Sequence, residues 1–319
     1  MAKNHISLIV PFLNEEDAIP IFLETADAEL AKLKKKHKAI KFSVLFVNDG
    51  STDMGELIVT KAKMKSANVQ LVNLTRNFGK EQALYAGFMH AESDAVIPMD
   101  VDLQDPPEVI DEMITKWRAG ADIVDAKRAR RDEDTAVKRV TATWFYKIFN
   151  IFSERPIPEN VGDFRLFDRS VVDAVRKVGD RKRFNKEIFS WVGFKTDQVE
   201  FDRPERSTGQ PSQSFWKLWN LALDGIFAGS TLPLRMWGYL GFLLSLMAFL
   251  YLVYIVLFTL VFGRDVPGYS STITLILFFG GLNLLSVGIL GEYIGRIYTE
   301  VRDRPTFLVR STHGLDDEK

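Results

Sequence analysis

The sequence predicts an α/β fold, a mostly parallel sheet covered on both faces, followed by interfacial amphipathic helices and two C-terminal transmembrane helices. Three observations predict it. Short apolar, β-branched runs alternate with helical patterns over the first half of the chain, as in strand-helix-strand units. The second half holds two long runs without a charged residue, Met236–Gly263 and Val266–Gly291. Between the halves lie aromatic, lysine-bearing segments suited to a lipid interface.

In order, the strands are expected at Ile6–Val10, Phe42–Val47, Val69–Leu74, Ala95–Pro98 and Ile123–Ala126, with helices near 16–36, 53–66, 79–91 and 106–118. In such sheets ligands sit beyond the carboxyl ends of the strands. This sequence places polar residues after every one of them: Asn14 and Glu15, then Asn48 and Asp49, Arg76 and Asn77, Asp100 and Asp102, and Arg128. The two interfacial helices are expected within 134–154, around Trp144–Phe149, and within 213–228, around Phe215–Trp219.

The charge-free runs are 28 and 26 residues long, and each exceeds the roughly 20 residues that cross a hydrocarbon core of about 30 Å. Only Arg264–Tyr269 separates them, so both flanks are expected on one side. Lys217 and Arg235 before the first run, with Arg296, Arg302, Arg304 and Arg310 after the second, outnumber Arg264 in the turn and put both ends in the cytoplasm. Met1–Asn4 leads directly into a strand, so no signal peptide is expected.

The chain has no cysteine, which excludes disulfides, thiolate zinc sites and a cysteine nucleophile. Its four histidines lack metal-ligand spacing, so a metal would be held mainly by oxygen, favouring Mg²⁺ or Mn²⁺. A formal net charge of -1 argues against nucleic acid as a partner. Neither a Gly-x-Gly-x-x-Gly turn nor a Walker loop is present. The richest stretch is Met99–Pro106, where Asp100 and Asp102 stand two residues apart as a strand runs out. Strand alternation would point both carboxylates at one hard cation carrying a diphosphate. A solvated strand-to-helix turn capped by Asp is the plainer alternative.

Six ordered motifs resemble those of the polyprenyl-phosphate glycosyltransferases of glycosyltransferase family two. They are Pro11–Glu15, Val47–Asp53, Arg76–Glu81, Asp100–Pro106, Asn160–Leu166 and Gly291–Arg296. The likeness spans nearly the whole chain and is closest to the bactoprenol (undecaprenyl-phosphate) glucosyltransferases of O-antigen modification. It implies a GT-A fold, in which the mostly parallel sheet binds a nucleotide sugar, and inverting transfer of glucose from UDP-glucose to undecaprenyl phosphate on the cytoplasmic leaflet of the bacterial inner membrane. The partners implied are a UDP-sugar donor, the lipid phosphate and membrane lipids. A homo-oligomer is compatible with it. The organisation is then a catalytic domain over 1–212, an interfacial segment over 213–235, a transmembrane hairpin over 236–295 and a cytoplasmic tail over 296–319.

By the same resemblance, Asp100 and Asp102 hold the metal, and Gln104 supports its shell or the sugar. Pro11, Asn14, Glu15 and Asp49 frame the uridine, while Lys80 and Arg128 balance phosphate charge. Asp49 can accept hydrogen bonds from ribose or base, and an Asx turn at Asp49–Gly50 is its plain alternative. Asp163 matches the position usually assigned as base. Arg206, Gly209 and Ser212 fall in the acceptor-phosphate loop, where relatives commonly show Arg-x-x-Gly-x-Ser/Thr-Lys. This chain has Pro211 and Ser212 in place of the last two, so one expected cation is missing.

The rival classes fare worse. A processive polysaccharide synthase normally carries Gln-x-x-Arg-Trp, absent here. A membrane-anchored nucleotide-binding regulator would not need the motif around Asp163 and Arg206, and two spans make no transport path for a flippase. Related enzymes use mannose or amino-arabinose donors on a similar scaffold, so glucose rests on similarity.

Overall fold

The computed structural model describes residues 4–128, 161–180, 183, 185–201, 232–263 and 268–315. They divide into two compact units, the first holding the described residues up to 201 and from 304 onward, the second those within 219–303. Both expected interfacial helices, within 134–154 and 213–228, lie outside the described residues.

In the first unit β1 (His5–Phe12), β2 (Lys41–Asn48), β3 (Asn68–Leu74), β4 (Ala95–Pro98) and β5 (Ile123–Arg128) coincide closely with the expected strands. Three further strands join them: β6 (Val161–Asp168), β7 (Thr196–Phe201) and β8 (Val309–His313), giving the order β7-β5-β6-β4-β1-β2-β3-β8. The pairs β1/β2, β1/β4, β2/β3 and β5/β7 are parallel, whereas β4/β6, β5/β6 and β3/β8 are antiparallel. Antiparallel β6 matters most, because its first residues lie at the same sheet edge as the carboxyl ends of its neighbours. Lys127 pairs with Val161, and Asp125 with Arg165.

Side chains alternate between the two faces of the strands. Leu8 and Val10 of β1, with Val44 and Phe46 of β2, pack under α1 (Ala18–Lys36) and α4 (Ile110–Arg118), through Phe22, Leu30, Met113 and Trp117. Ile9, Leu45 and Val47 face the other way, with Phe88 of α3 (Lys80–His90), Val172 of α5 (Arg169–Lys177) and Phe189 of α6 (Asn185–Trp191). Gly87 of α3 lies so close to β1 that a Cβ there would stand 2.3 Å from Ile9 Cγ2. The helix starts have local causes. Asp168 accepts a hydrogen bond from Ser170 N at the head of α5, and its other oxygen accepts one from Trp117 Nε1. The helix α2 (Gly55–Lys61) is shorter than expected, because Ala62 is already extended.

The second unit consists mainly of two long helices, α7 (Leu232–Phe262) and α8 (Tyr269–Val301). Trp237–Phe262 and Ser271–Val301 each hold an 18-residue stretch of high mean hydropathy, 2.5 and 2.2, and are long and apolar enough to cross a membrane. Trp237 Nε1 donates to Ser286 Oγ, which donates in turn to Leu282 O, so the indole N–H and the serine hydroxyl are both used.

Candidate active site

The loop after β1 and the loop after β2 are laced together. Asn14 adopts φ +55, a left-handed conformation that asparagine tolerates better than most residues. Its N–H donates to Ser51 Oγ at 3.0 Å, and its Oδ1 accepts from Thr52 N at 2.9 Å. Glu16 N donates to Asp53 Oδ2, and Met54 N to Glu16 Oε2, both at 2.9 Å. Pro11 lies in β1 opposite Val47, one residue before the end of the pairing.

Asp49 is buried, and its two oxygens accept from Phe78 N at 2.7 Å and Gly79 N at 2.9 Å. It therefore ties the loop after β2 to the loop after β3. Burial raises its proton affinity, against the pull of those two N–H groups and Arg76. Gly50, at φ +75, has no room for a side chain: a Cβ would stand 2.4 Å from the backbone carbon of Arg76.

Lys80 opens α3, just past Gly79 at φ +102. Its Nζ lies 2.6 Å from Asp100 Oδ1 and 3.5 Å from Asp163 Oδ2. Burial works against its charge, but Asp100, Asp163 and Asp105 outweigh it and hold the ammonium more firmly protonated than usual. Half of the side chain remains open to solvent, so these attractions are partly screened.

Asp100 and Asp102 do not lie on a strand. β4 ends at Pro98, and the two aspartates stand in a turn closed by Leu103 N donating to Asp100 O at 3.3 Å, with Leu103 at φ +56. Val101 between them is buried while both aspartates are only half-buried, so an inward-outward alternation persists by way of a turn. Asp102 Oδ1 accepts from Gln104 N at 3.1 Å. Gln104 is itself buried, and its Nε2 has no hydrogen-bond partner. Among the described residues no three His, Asp or Glu side chains form a cluster able to hold an ion alone.

Glu15 registers the accumulated charge. Its carboxyl is raised first by burial, then by repulsion from Asp102, Asp53 and Asp100.

Asp163 reaches this edge on the opening residues of β6, and its Oδ1 is buried without a hydrogen-bond partner. Arg128 ends β5 beside it: a Cβ added to Gly162 would stand 3.8 Å from Arg128 Nη2. One sheet edge thus brings together Asn14, Glu15, Asp49, Lys80, Asp100, Asp102, Gln104, Arg128 and Asp163. Arg206, Gly209 and Ser212 lie outside the described residues.

Several supporting residues escape a reading of the sequence. Asp105 is buried and helps hold the charge of Lys80. Glu81 accepts from Asn185 N at 2.9 Å, and its backbone oxygen accepts from Asn185 Nδ2 at 3.0 Å, fixing the first turn of α3 against α6. Asn73 sits at 3% exposure within an otherwise apolar stretch of β3, and that mismatch is the signal that could have marked it.

The profile of "Glycosyl transferase family 2" matches residues 7–176, and that of "GtrB C-terminal hairpin" matches residues 232–297. A protein of Shigella flexneri described as "SfII prophage-derived bactoprenol glucosyl transferase" is 50% identical over 97% of this chain and 98% of its own length. The "Prophage bactoprenol glucosyl transferase homolog" of Escherichia coli (strain K12) is 50% identical over 96% of this chain and 98% of its own. Among solved structures, glucosyl-3-phosphoglycerate synthase from Mycobacterium tuberculosis, in complex with Mn²⁺, UDP and phosphoglyceric acid, is 19% identical. That match covers 71% of this chain and 77% of that one, with a TM-score of 0.47.

Proposed function

The chain belongs to glycosyl transferase family 2, and from that premise we propose that it transfers glucose from UDP-glucose to undecaprenyl phosphate, releasing UDP. The observation that carries this reading is the position of Lys80, whose ammonium stands between the carboxylates of Asp100 and Asp163. A cation held between a donor-side turn and an acceptor-side strand is where charge must be balanced as one phosphate leaves and another attacks. Glucose as the sugar and a polyprenyl phosphate as the acceptor are supported by the bactoprenol glucosyl transferases that are 50% identical over nearly the whole chain.

In this reading Asn14, Glu15, Asp49 and Pro11 hold the uridine side of the donor, and Lys80 and Arg128 face the phosphates. Mg²⁺ or Mn²⁺ fits the donor set: Asp100 and Asp102 are hard oxygen ligands, and Glu15, whose carboxyl is raised first by burial, is raised further by the charges of Asp102, Asp53 and Asp100. Two carboxylates leave the rest of a coordination shell to diphosphate oxygens and water, as Mg²⁺ sites commonly do. Bound there, the ion would supply Lewis-acid stabilisation of the departing diphosphate. Gln104, with its free buried amide, would support that shell or the sugar.

The acceptor's own oxygen attacks the anomeric carbon from the side opposite UDP, with inversion. A phosphate monoester has a second pKa of about 6 and is largely a dianion at neutral pH. Asp163 therefore serves mainly to orient Lys80 and its surroundings, with little call for proton removal. Rescue of Asp163→Asn by raised pH would contradict this.

The membrane reading draws support from connectivity. β8 pairs with β3 in the same sheet as the N-terminal strands, so a chain that leaves the sheet after β7 and returns must cross a bilayer an even number of times. A hairpin of α7 and α8 would do so, and the flanking excess of Lys and Arg would set the sheet and both ends on the cytoplasmic side. Arg206, Gly209 and Ser212 would then take the acceptor phosphate at the membrane surface, Arg206 by its bidentate fork. The test is a panel of labelled UDP-sugars with the full chain, undecaprenyl phosphate and Mg²⁺ or Mn²⁺. Glucose should be the preferred donor, and Arg206→Ala should raise the KM for the lipid far more than for the donor. Preference for another sugar, or equal effects of Arg206→Ala on both substrates, would contradict the respective assignment.

A further inference from the structure

β8 is the last strand of the sheet, reached only after the two apolar helices, and all five of its residues are exposed. Nothing in its composition ties it to the donor pocket. Yet its middle residue is in register with two asparagines on the neighbouring strands: Ser311 pairs with Asn73, and Asn73 with Asn48.

Their side chains form a continuous ladder. Asn73 Nδ2 donates to Ser311 Oγ at 3.0 Å and to Glu56 Oε1 at 3.1 Å, while Asn73 Oδ1 accepts from Asn48 Nδ2 at 3.0 Å. Asn48 Oδ1 in turn accepts from Ser51 N at 2.8 Å, and Ser51 Oγ accepts from Asn14 N at 3.0 Å. Arg310 pairs with the other oxygen of Glu56 and steadies the same end. Asn48 and Asn73 are buried at 0% and 3% exposure. An amide buried there must have its hydrogen bonds satisfied, so each member fixes the rotamer of the next. The ladder ends in the turn Asn48–Ser51, which carries Asp49 and holds Asn14.

We propose that β8 is a positioning element of the donor site, acting through Ser311, Asn73 and Asn48 to fix the turn that presents Asp49 and Asn14 to the nucleotide. Donor binding then depends on a strand that the chain delivers only after its apolar hairpin. The proposal rests on the reading of Asn14 and Asp49 as donor contacts.

The test uses the full chain in detergent or lipid discs, with UDP binding measured by calorimetry alongside KM for each substrate and the thermal midpoint. Ser311→Ala removes one hydroxyl from an exposed strand and leaves the core intact, whereas Ser311→Thr keeps the hydroxyl. Ser311→Ala should weaken UDP binding about three- to tenfold, with KM for undecaprenyl phosphate unchanged, and Ser311→Thr should restore it. Asn73→Leu, of similar shape but without the amide, should weaken UDP binding further. Unchanged UDP affinity in Ser311→Ala, while Asn14→Ala loses it, would overturn the role of β8 alone. Unchanged UDP affinity in Asn14→Ala would overturn the donor-site reading and this proposal with it. Equal losses for both substrates would reduce β8 to a general support of the fold and also overturn it.

Discussion

Replacing Asp49 with Asn keeps the size of the side chain and changes one oxygen into an NH₂ group. In the native protein both oxygens accept backbone N–H bonds, from Phe78 at 2.7 Å and Gly79 at 2.9 Å, in a site only 4% exposed. The amide can keep one of these bonds, and its NH₂ then confronts the other N–H, leaving a buried donor unsatisfied. Hydrogen bonds to charged groups contribute about 1.5–3 kcal/mol, and stranding a buried donor costs a similar amount. Taking about 2 kcal/mol as lost from docking of the Phe78–Lys80 loop, and requiring that loop docked for transfer, kcat/KM should fall about thirtyfold. The assay is steady-state transfer of labelled glucose to the lipid phosphate, with thermal unfolding in parallel to confirm that the variant remains folded. Activity within twofold of the parent in a folded Asp49→Asn protein would refute the claim that this carboxylate holds the loop bearing Lys80.

Three further outcomes are expected. Glu15 binds its proton more tightly in the folded than in the unfolded chain, so the stability associated with its protonated form is lost as pH rises through that raised value. Glu15→Gln should therefore raise Tm at neutral pH, with the advantage vanishing below the ordinary glutamate range; a pH-independent change in Tm would contradict it. Asp102→Asn should cut turnover at least ~100-fold without loss of fold, by analogy with weakened metal sites, and full activity after chelation of divalent ions would refute the metal assignment. In a chain without cysteine, Tyr269→Cys should react with an impermeant thiol reagent from outside the cell and Thr312→Cys should not, and the reverse labelling would overturn the proposed topology.

The five parallel-type strands were legible because each is a compact apolar, β-branched run buried on both faces, as β2 shows with Val44 and Phe46 on one side and Leu45 and Val47 on the other. β8 was not, because Val309-Arg310-Ser311-Thr312-His313 buries nothing and is held by its edge pairing with β3. Strand alternation gave the wrong local reason for Asp100 and Asp102, since a left-handed Leu103 makes a turn that no hydrophobic period reports. The convergence of Asp163 with Lys80 depends on β6 running antiparallel, a property of the long-range pairing with β4 and β5 and of no local pattern. Asp49 was legible as a turn residue before Gly50, but its grip on Phe78 and Gly79 became visible only once the two loops met. Tertiary partners also explain Asn73: read alone it weakens a strand, and read with Asn48, Glu56 and Ser311 it is a satisfied junction.

The most direct test of the central claim is a single reconstitution: full-length chain, UDP-glucose labelled in the sugar, undecaprenyl phosphate and Mg²⁺ or Mn²⁺, with the lipid product isolated and its anomeric configuration read by NMR. Label should pass to the lipid as a β-linked glucosyl phosphate, with equimolar UDP released and no transfer by Asp102→Asn. Free labelled glucose without lipid product, label in a growing polysaccharide, or an α-linked product would contradict it.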